Sequence, residues 1–196
     1  MSHKIFSIKA KDTKLPLLTV TVDNDGEKTK YTITEGTYRE IGCPLSGEEI
    51  DKDSLDIIAR ADEQRRAVAK ALSLLSYADN NKKRLYMKLT LAGFSQDAAK
   101  GAVRECVMLG YVNEERQIEN LIARYHRELH GPSKIIAKLV SQGYASKDIH
   151  SVMDRLSESG DLDFDNSRAL LIKKKLPDGA SAEQIKKLLY KYGYRK

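Results

Sequence analysis

The sequence of 196 residues contains no tryptophan and only ten tyrosines and three phenylalanines. A core must therefore be built from leucine, isoleucine, valine and alanine, which we expect to favour helices over a β-sandwich. No segment approaches the roughly 20 consecutive apolar residues that span a bilayer. The first residues also lack the apolar stretch of a signal peptide. We therefore expect a cytoplasmic protein with no membrane partner.

Cysteine is also scarce. Cys43 and Cys106 lie far apart in the sequence, without Cys-x-x-Cys spacing. This spacing argues against a disulfide framework and against a thiolate metal site. We interpret both side chains as small apolar fillers.

Sequence motifs typical of enzyme active sites are missing as well. Residues 42–47 lack the Lys-Ser/Thr ending of a phosphate-binding loop, and there is no Gly-x-Ser-x-Gly sequence. His126 and His130 have the spacing of a zinc-binding helix, but Arg127 occupies the place of the general-base glutamate and no third ligand is visible. We predict no enzymatic activity, no cofactor and no metal site, with His130 at an exposed helix end.

The net charge of +6 is unevenly distributed. Residues 1–60 hold nine Lys/Arg and eleven Asp/Glu, a balance of −2, whereas residues 61–196 hold 25 and 17, a balance of +8. Residues 166–196 hold nine Lys/Arg against two carboxylates, which gives +7. This basic part is compatible with an acidic or nucleic-acid partner, or with a tail that only promotes solubility.

The first 50 residues have the pattern of strands. Apolar and polar residues alternate in 4–9 and in 16–34, with Asp25-Gly26 as a turn. Ser46-Gly-Glu-Glu49 is a possible capping box, and helix formers dominate from Asp51 onward. A small N-terminal β-containing module is therefore predicted to precede a helical body.

The helical body repeats itself at a spacing of 50 residues. Arg84–Phe94 aligns without a gap on Lys134–Tyr144 and on Gln184–Tyr194, with a glycine before each final aromatic residue. The fold class is therefore mainly α, with tandem three-helix repeats in an elongated curved array after the N-terminal module. Ser95 and Ser146 are predicted to cap the third helices.

The predicted helices span about 62–77, 80–92, 96–109, 113–129, 132–142, 146–158, 163–175 and 182–193. The predicted division is 1–50 strand-bearing module, 51–61 helical linker, 62–112 repeat 1, 113–162 repeat 2 and 163–196 truncated repeat 3.

Basic residues recur at fixed positions of these repeats. Arg84 and Lys88 are four apart on one helix, and Lys134 and Lys138 occupy the same phases one repeat later. Stacked repeats would align them into a ladder that neutralises several phosphates. The remaining candidate partner-binding or nucleic-acid-binding residues are Arg124, Arg127, Lys173, Lys174, Lys175, Lys187 and Lys191. For each single residue, a solvated helix surface is the alternative interpretation.

The recurring phrase Leu-x-x-Lys-Leu-x-x-x-Gly-aromatic resembles the RecX family of regulators of the bacterial recombinase RecA. Ala71–Leu75, Gly110–Glu114 and His130–Ile135 are also similar to that family, and the resemblance covers about residues 62–196. It implies an inhibitory modulator that binds along the RecA–DNA filament and regulates recombination, repair and the SOS response. We also expect the chain to be a monomer. It implies contact with single- or double-stranded DNA, weakly or through RecA. The family has no catalytic residues to transfer to this sequence.

Two other functions remain open from the residues alone. One is a DNA-binding or transcription-regulating helical module, since three-helix units can present a helix to a groove. No Arg/Asn/Gln cluster forms an obvious recognition helix, and the basic residues suit phosphates better than base edges. The other is a generic protein scaffold.

Overall fold

The computed structural model describes residues 3–11 and 16–194, and it begins with an antiparallel sheet. Two of its strands, Leu17–Asn24 and Glu27–Thr34, form a hairpin joined by a two-residue turn at Asp25-Gly26. Both turn residues have positive φ, 52° and 98°. The predicted strand, turn and strand are confirmed. In the order β3-β2-β1-β4, the sheet consists of β1 (His3–Lys11), β2 (Leu17–Asn24), β3 (Glu27–Thr34) and β4 (Glu49–Ile50).

One long helix, α2 (Lys52–Tyr77), packs on this sheet. Its Ile58 is fully buried in an apolar cluster with side chains from four strands, namely Ile5, Val20, Val22, Ile33 and Ile50. Asp62, one turn further along α2, accepts a hydrogen bond from the backbone N–H of Thr32 at 2.9 Å. The helix is therefore fixed both to the face of the sheet and to its β3 edge.

The segment between β3 and α2 contains one helix that was not predicted and departs from two expectations. A short helix, α1 (Glu35–Glu40), follows β3 directly because the Thr34 side chain caps it. The capping box at Ser46 is wrong: the Ser46 hydroxyl donates to the carbonyl of Phe6, and Asp51 caps α2 instead. Cys43 is exposed and has a φ of 54°, so only Cys106, which is fully buried, is an apolar filler.

The remaining helices confirm the 50-residue period. Each second helix of a repeat ends before a glycine of positive φ, namely Gly93, Gly143 or Gly193. Ser95 caps its helix, but Ser146 is the first residue of a helix whose N-cap, Ala145, makes no side-chain cap. The helices are α3 (Lys82–Leu91), α4 (Gln96–Met108), α5 (Glu114–Arg127), α6 (Pro132–Ser141), α7 (Ser146–Glu158), α8 (Phe164–Lys175) and α9 (Ala182–Tyr192).

The chain divides into two compact units. Unit 1 comprises Met1–Ala78 and Leu85–Tyr111, and unit 2 comprises Asp79–Arg84 and Val112–Lys196. The mainly helical fold with a small N-terminal sheet is confirmed, whereas the five-part division made from the sequence stays a prediction. Among the helices of residues 3–11 and 16–194, none is long and apolar enough to cross a membrane.

Within unit 2, the end of α9 meets the start of α6, and the end of α6 meets the residues that precede α3. At the start of α6, the Gly131 and Ser133 N–H groups donate to the carbonyls of Tyr192 and Gly193, at 2.7 and 3.2 Å. At the start of α3, the Asn81 amide donates to the carbonyl of Gln142, at 2.9 Å, where α6 ends. The unpaired N–H groups of one helix start thus face the unpaired carbonyls of another helix end, which favours this contact electrostatically.

Candidate nucleic-acid interface

The largest concentration of cations on aromatic side chains lies where α5, α6 and α9 of unit 2 meet. We call this the basic–aromatic cluster, and it consists of Arg124, Tyr125, Lys134, Lys138 and Tyr192. The core of unit 2 supports it from beneath, because Tyr125 is only 5% exposed and packs with Ile122, Ile135 and Leu139.

Each cation of the cluster lies over a ring. The Lys138 ammonium is 4.2 Å from the centroid of the Tyr125 ring, and the Arg124 guanidinium is 4.8 Å from the same centroid. The Lys134 ammonium is 5.0 Å from the centroid of the Tyr192 ring. Such contacts contribute about 0.5–1 kcal/mol at exposed sites, and they restrict long side chains that would otherwise sample many rotamers. The cluster therefore presents positive charges whose positions are partly fixed before any anion binds.

Polar contacts also orient these side chains. The Tyr125 hydroxyl accepts hydrogen bonds from Arg124 Nη2 at 3.0 Å and from Gln142 Nε2 at 2.7 Å. Lys134 Nζ donates to the carbonyl of Lys191 at 3.2 Å, in the last turn of α9. Because this turn carries partial negative charge, Lys134 also stabilises the end of α9.

One carboxylate lies among the cations. The Glu128 carboxylate is 3.9 Å from both Arg124 Nε and Lys138 Nζ, and 3.4 Å from His130 Nε2. Three cations and one carboxylate give the cluster a charge of +2 when His130 is neutral. This charge suits contact with one or two phosphates better than extensive neutralisation of a nucleic-acid backbone.

His130 is buried at the base of this cluster, which corrects the expectation of an exposed helix end. Its ring centroid is 6.0 Å from that of Tyr125 and 5.7 Å from that of Tyr192. Burial lowers the pKa of His130 below its usual value, and the nearby Lys138 and Lys134 lower it further, against the opposing effect of Glu128. Burial and the two lysines therefore both favour the neutral imidazole over the charged one.

The two histidines do not share a helical face. Helix α5 ends at Arg127, and Leu129 adopts a left-handed φ of 62°, which turns His130 away. His126 instead lies against α8, where its Nε2 is 2.8 Å from the Ser167 hydroxyl. Among the described residues, no group of three or more His, Cys, Asp or Glu side chains could hold a metal ion.

The other predicted cations are not among the residues of this cluster. Lys187 forms an exposed ion pair with Glu183 at 3.0 Å, one turn away on α9. Arg127 is the last residue of α5. Lys191 contributes its backbone carbonyl, and its side chain is exposed. The remaining predicted residues are exposed on α8 or α3: Lys173, Lys174, Lys175, Arg84 and Lys88.

The aromatic partners of these cations were difficult to predict from the sequence. Arg124 and Tyr125 are adjacent on α5, and adjacent residues of a helix point in different directions. Tyr192 lies 54 residues after Lys138, and only the end-to-end contact of α9 with α6 brings it to the cluster. The charge pattern located the cations but not the rings that hold them.

Comparison with known proteins places the chain in a family. Protein-family models give no match. A curated protein of Stenotrophomonas maltophilia strain R551-3, named Regulatory protein RecX, is 32% identical over 112 residues, which cover 57% of this chain and 67% of that protein. The chain belongs to the RecX family. A RecX protein of Caldanaerobacter subterraneus subsp. tengcongensis is 26% identical over 170 residues, covering 87% of this chain and 84% of that protein.

A solved structure agrees with this assignment at the level of the fold. The crystal structure of a regulatory protein RecX superposes with a TM-score of 0.70 and covers 98% of this chain and 95% of its own. The sequence identity is 18%, so the similarity shows the shared RecX fold alone. The names of these RecX proteins describe regulators.

Proposed function

We propose that the chain is a non-catalytic modulator of the RecA recombinase and acts in the inhibitory sense. It binds the RecA–DNA filament in the cytoplasm, as a monomer, and thereby regulates DNA recombination, repair and the SOS response. Membership of the RecX family is the observation that carries this proposal. The repeated Leu-x-x-Lys-Leu-x-x-x-Gly-aromatic motif resembles that family, and this resemblance is the reason to propose RecA as the partner.

The basic–aromatic cluster supports the proposal that the chain contacts DNA phosphates when it binds the filament. Its three cations belong to neighbouring helices of one unit, and two of them are held by Tyr125, a core residue. One or two phosphate contacts would give a slope of log affinity against log salt of about −1 to −2 on duplex DNA. So shallow a slope suits a protein that adds DNA contacts to a protein contact.

The test measures ATP hydrolysis by RecA on single-stranded DNA as the protein is added, with co-sedimentation of the protein and the filament. We expect hydrolysis to fall and the protein to sediment with the filament. The variant Arg124→Gln/Lys138→Gln should bind less tightly, with a salt slope shallower by about two. Lys4→Gln/Lys9→Gln on β1 makes the same change in net charge and is the matched control. Unchanged hydrolysis with no co-sedimentation at any salt concentration would rule out the proposal.

A DNA-binding or transcription-regulating module is the second candidate. The observation in its favour is the set of at least partly exposed cations held over tyrosine rings, because such a set can contact phosphates without RecA. It predicts that naked DNA binds as tightly as the filament and with sequence preference. Titration of single-stranded and duplex DNA in the absence of RecA separates the two candidates.

A further inference from the structure

A cavity of about 690 Å³ lies between α8 and α9 of unit 2. We call it the α8–α9 cavity, and its volume is within the range of about 300–1,000 Å³ that is usual for small-molecule sites. The described residues that line it include none of the basic–aromatic cluster. They are the buried Leu189, the half-buried Tyr194 and the exposed Arg168, Glu183, Lys186, Lys187 and Tyr190.

The path of the chain explains why these residues share one cavity. Residues 176–181 connect α8 to α9 and return the chain beside itself. Arg168 lies seven residues before the end of α8, and Tyr190 lies eight residues after the start of α9, so the two are at about the same height. After α9, Gly193 adopts a φ of 86°, and the Tyr194 N–H donates to the carbonyl of Leu189 at 2.9 Å. This turn brings the Tyr194 ring to the cavity.

Repeat 2 has apolar side chains where the α8–α9 cavity has cations and an exposed tyrosine. At the shift of 50 residues, Leu189 and Tyr194 of the cavity keep their identity as Leu139 and Tyr144. The fold therefore does not require cations or an aromatic ring at the other positions. Arg168, Lys186, Lys187 and Tyr190 correspond, in the same order, to Ile118, Ile136, Ala137 and Val140.

The charge at the cavity is positive when its neighbours are also counted. Glu183 is 3.0 Å from Lys187 Nζ. Within the described chain, no carboxylate forms an ion pair with Arg168 or Lys186, so both can meet an anion that enters the cavity. The charged residues that line the cavity, or lie within one helical turn of a lining residue among the described parts of α8 and α9, give a net charge of +2. They are Arg168, Lys186, Lys187, Lys191, Asp165 and Glu183.

Tyr190 adds a flat apolar surface beside these cations. Its side chain is 72% exposed, and Lys186 lies one turn before it on the same face of α9. Solubility alone would be served by polar residues of either charge, and it does not call for an exposed tyrosine. An exposed aromatic ring next to cations complements a base that is joined to a phosphate, because every base has a face that can stack.

A helix of a protein partner is the other possible occupant. In repeat 2, the apolar cluster that includes α7 also contains Ile118, the counterpart of Arg168. A similar helix over the α8–α9 cavity would bury Arg168 and Lys186 beneath apolar side chains, and burial of unpaired charges is costly. A nucleotide instead brings its own anion to these cations.

We infer that the α8–α9 cavity binds a nucleotide, with the base stacked on Tyr190 and the phosphate held by Arg168 and Lys186. A nucleotide of single-stranded DNA and a free nucleoside diphosphate share this chemistry. The site goes beyond the proposed function because it needs no RecA. It also differs in kind from the basic–aromatic cluster, where Tyr125 is a core residue and orients cations instead of receiving a base.

The test compares two short single strands of equal length, one of deoxyadenylate and one with the same phosphates but no bases. Binding of each end-labelled strand to the full chain is followed by fluorescence anisotropy over a range of salt, without RecA. Tyr190→Val introduces the residue of repeat 2, and Tyr190→Phe keeps the ring. Arg168→Gln/Lys186→Gln removes the two phosphate contacts.

Tyr190→Val is expected to bind the strand with bases about tenfold more weakly and the base-free strand unchanged, because one stacking contact is lost. Tyr190→Phe should bind both strands like the unmodified chain. Arg168→Gln/Lys186→Gln should weaken binding of both strands, with a salt slope shallower by about 1.4, as expected for two contacts on a single strand. Circular dichroism should show unchanged helix content, because all three positions are exposed.

Two matched controls accompany these variants. Tyr77→Val removes another exposed tyrosine, and Lys4→Gln/Lys9→Gln makes the same change in net charge as the double cavity variant. Both should bind like the unmodified chain. Competition with ADP then separates the two sources of the nucleotide. Displacement of the strand that Tyr190→Val reduces indicates a free nucleotide, and no displacement indicates a nucleotide of the strand; both results agree with the inferred site.

Three results would overturn the inference. If Tyr190→Val and Tyr77→Val bind both strands equally, no base stacks on Tyr190. If a peptide of residues 146–158 binds the chain and excludes the strand, the cavity is a groove for a helix. If Arg124→Gln/Lys138→Gln abolishes the preference for bases and the cavity variants keep it, the nucleotide lies at the basic–aromatic cluster, and the proposed function is unaffected.

Discussion

The Lys138 ammonium lies 4.2 Å from the centroid of the Tyr125 ring, and the two residues belong to different helices, α6 and α5. Tyr125 is a core residue, whereas the side chain of Lys138 is 36% exposed. The position of a surface charge therefore depends on the packing of the core beneath it. The same ring holds Arg124, so one tyrosine orients two of the three cations in the cluster.

Substitution of Tyr125 tests this dependence. Tyr125→Phe keeps the ring but removes the hydroxyl that accepts from Arg124 and Gln142, and we expect the free energy of unfolding to fall by about 1–2 kcal/mol. Tyr125→Leu also removes the aromatic face, so both cations should become mobile and DNA affinity should fall further. Urea unfolding and DNA titration measure the two effects. Equal DNA affinity of the Phe and Leu variants would contradict the role of the ring.

The buried His130 predicts a loss of stability in mild acid. Its pKa is lowered in the folded chain by burial and by Lys138 and Lys134, so the unfolded chain binds more protons once the pH falls below about 6.5. The free energy of unfolding should therefore be highest above this pH, and it should decrease as the pH falls toward the pKa of His130 in the folded chain.

Urea unfolding at several pH values tests this effect of His130. We expect His130→Gln to reduce the pH dependence below 6.5. Lys138→Gln should reduce it in part, because one of the cations that oppose protonation is removed. A pH dependence that is the same in all three proteins would show that His130 is not its source.

Gly131 is predicted to be required by a close approach of two helices. A Cβ atom at this position would lie 2.6 Å from the Gly193 carbonyl oxygen and 2.8 Å from the backbone nitrogen of Tyr194. Because backbone cannot move aside as a flexible side chain can, Gly131→Ala should displace α9 and cost about 1–3 kcal/mol. Faster proteolysis within residues 176–194 and a lower urea midpoint would report this. The control is Gly36→Ala, whose Cβ would meet only Thr34 Oγ1, at 3.6 Å.

Asp62 is predicted to hold the sheet against α2. Its carboxylate accepts from the Thr32 N–H at 2.9 Å and from Arg66 Nε at 2.8 Å, and it is buried. Asp62→Ala would leave the Thr32 N–H without this acceptor, and we expect unit 1 to lose about 2–3 kcal/mol. Asp53→Ala, an exposed change of the same kind on the same helix, is the control. Equal thermal melting of the two variants would show that the contact contributes nothing to stability.

Much of the fold was predictable from local pattern. The 50-residue period located eight helices because apolar spacing and the left-handed glycines at helix ends act within a few residues of sequence. The hairpin at Asp25-Gly26 was predictable for the same reason. The pattern failed at Ser46, because its hydroxyl bonds to Phe6 of β1, 40 residues earlier, rather than to a helix start. It also failed at Cys43, which is exposed, because the exposure of a loop residue depends on the packing around it.

The sequence by itself determined the mainly helical repeat fold, the N-terminal sheet and the positions of the cations along each helix. Only the tertiary structure decided which cations lie together. Lys138 and Arg124 share one ring because α5 packs on α6, and Tyr192 joins them because the end of α9 meets the start of α6. The physical reason is the difference between short and long separations in the sequence. The periodicity of apolar residues within a helix shows which of its faces is buried. Which side chains contact that face depends on packing between residues that lie dozens of positions apart.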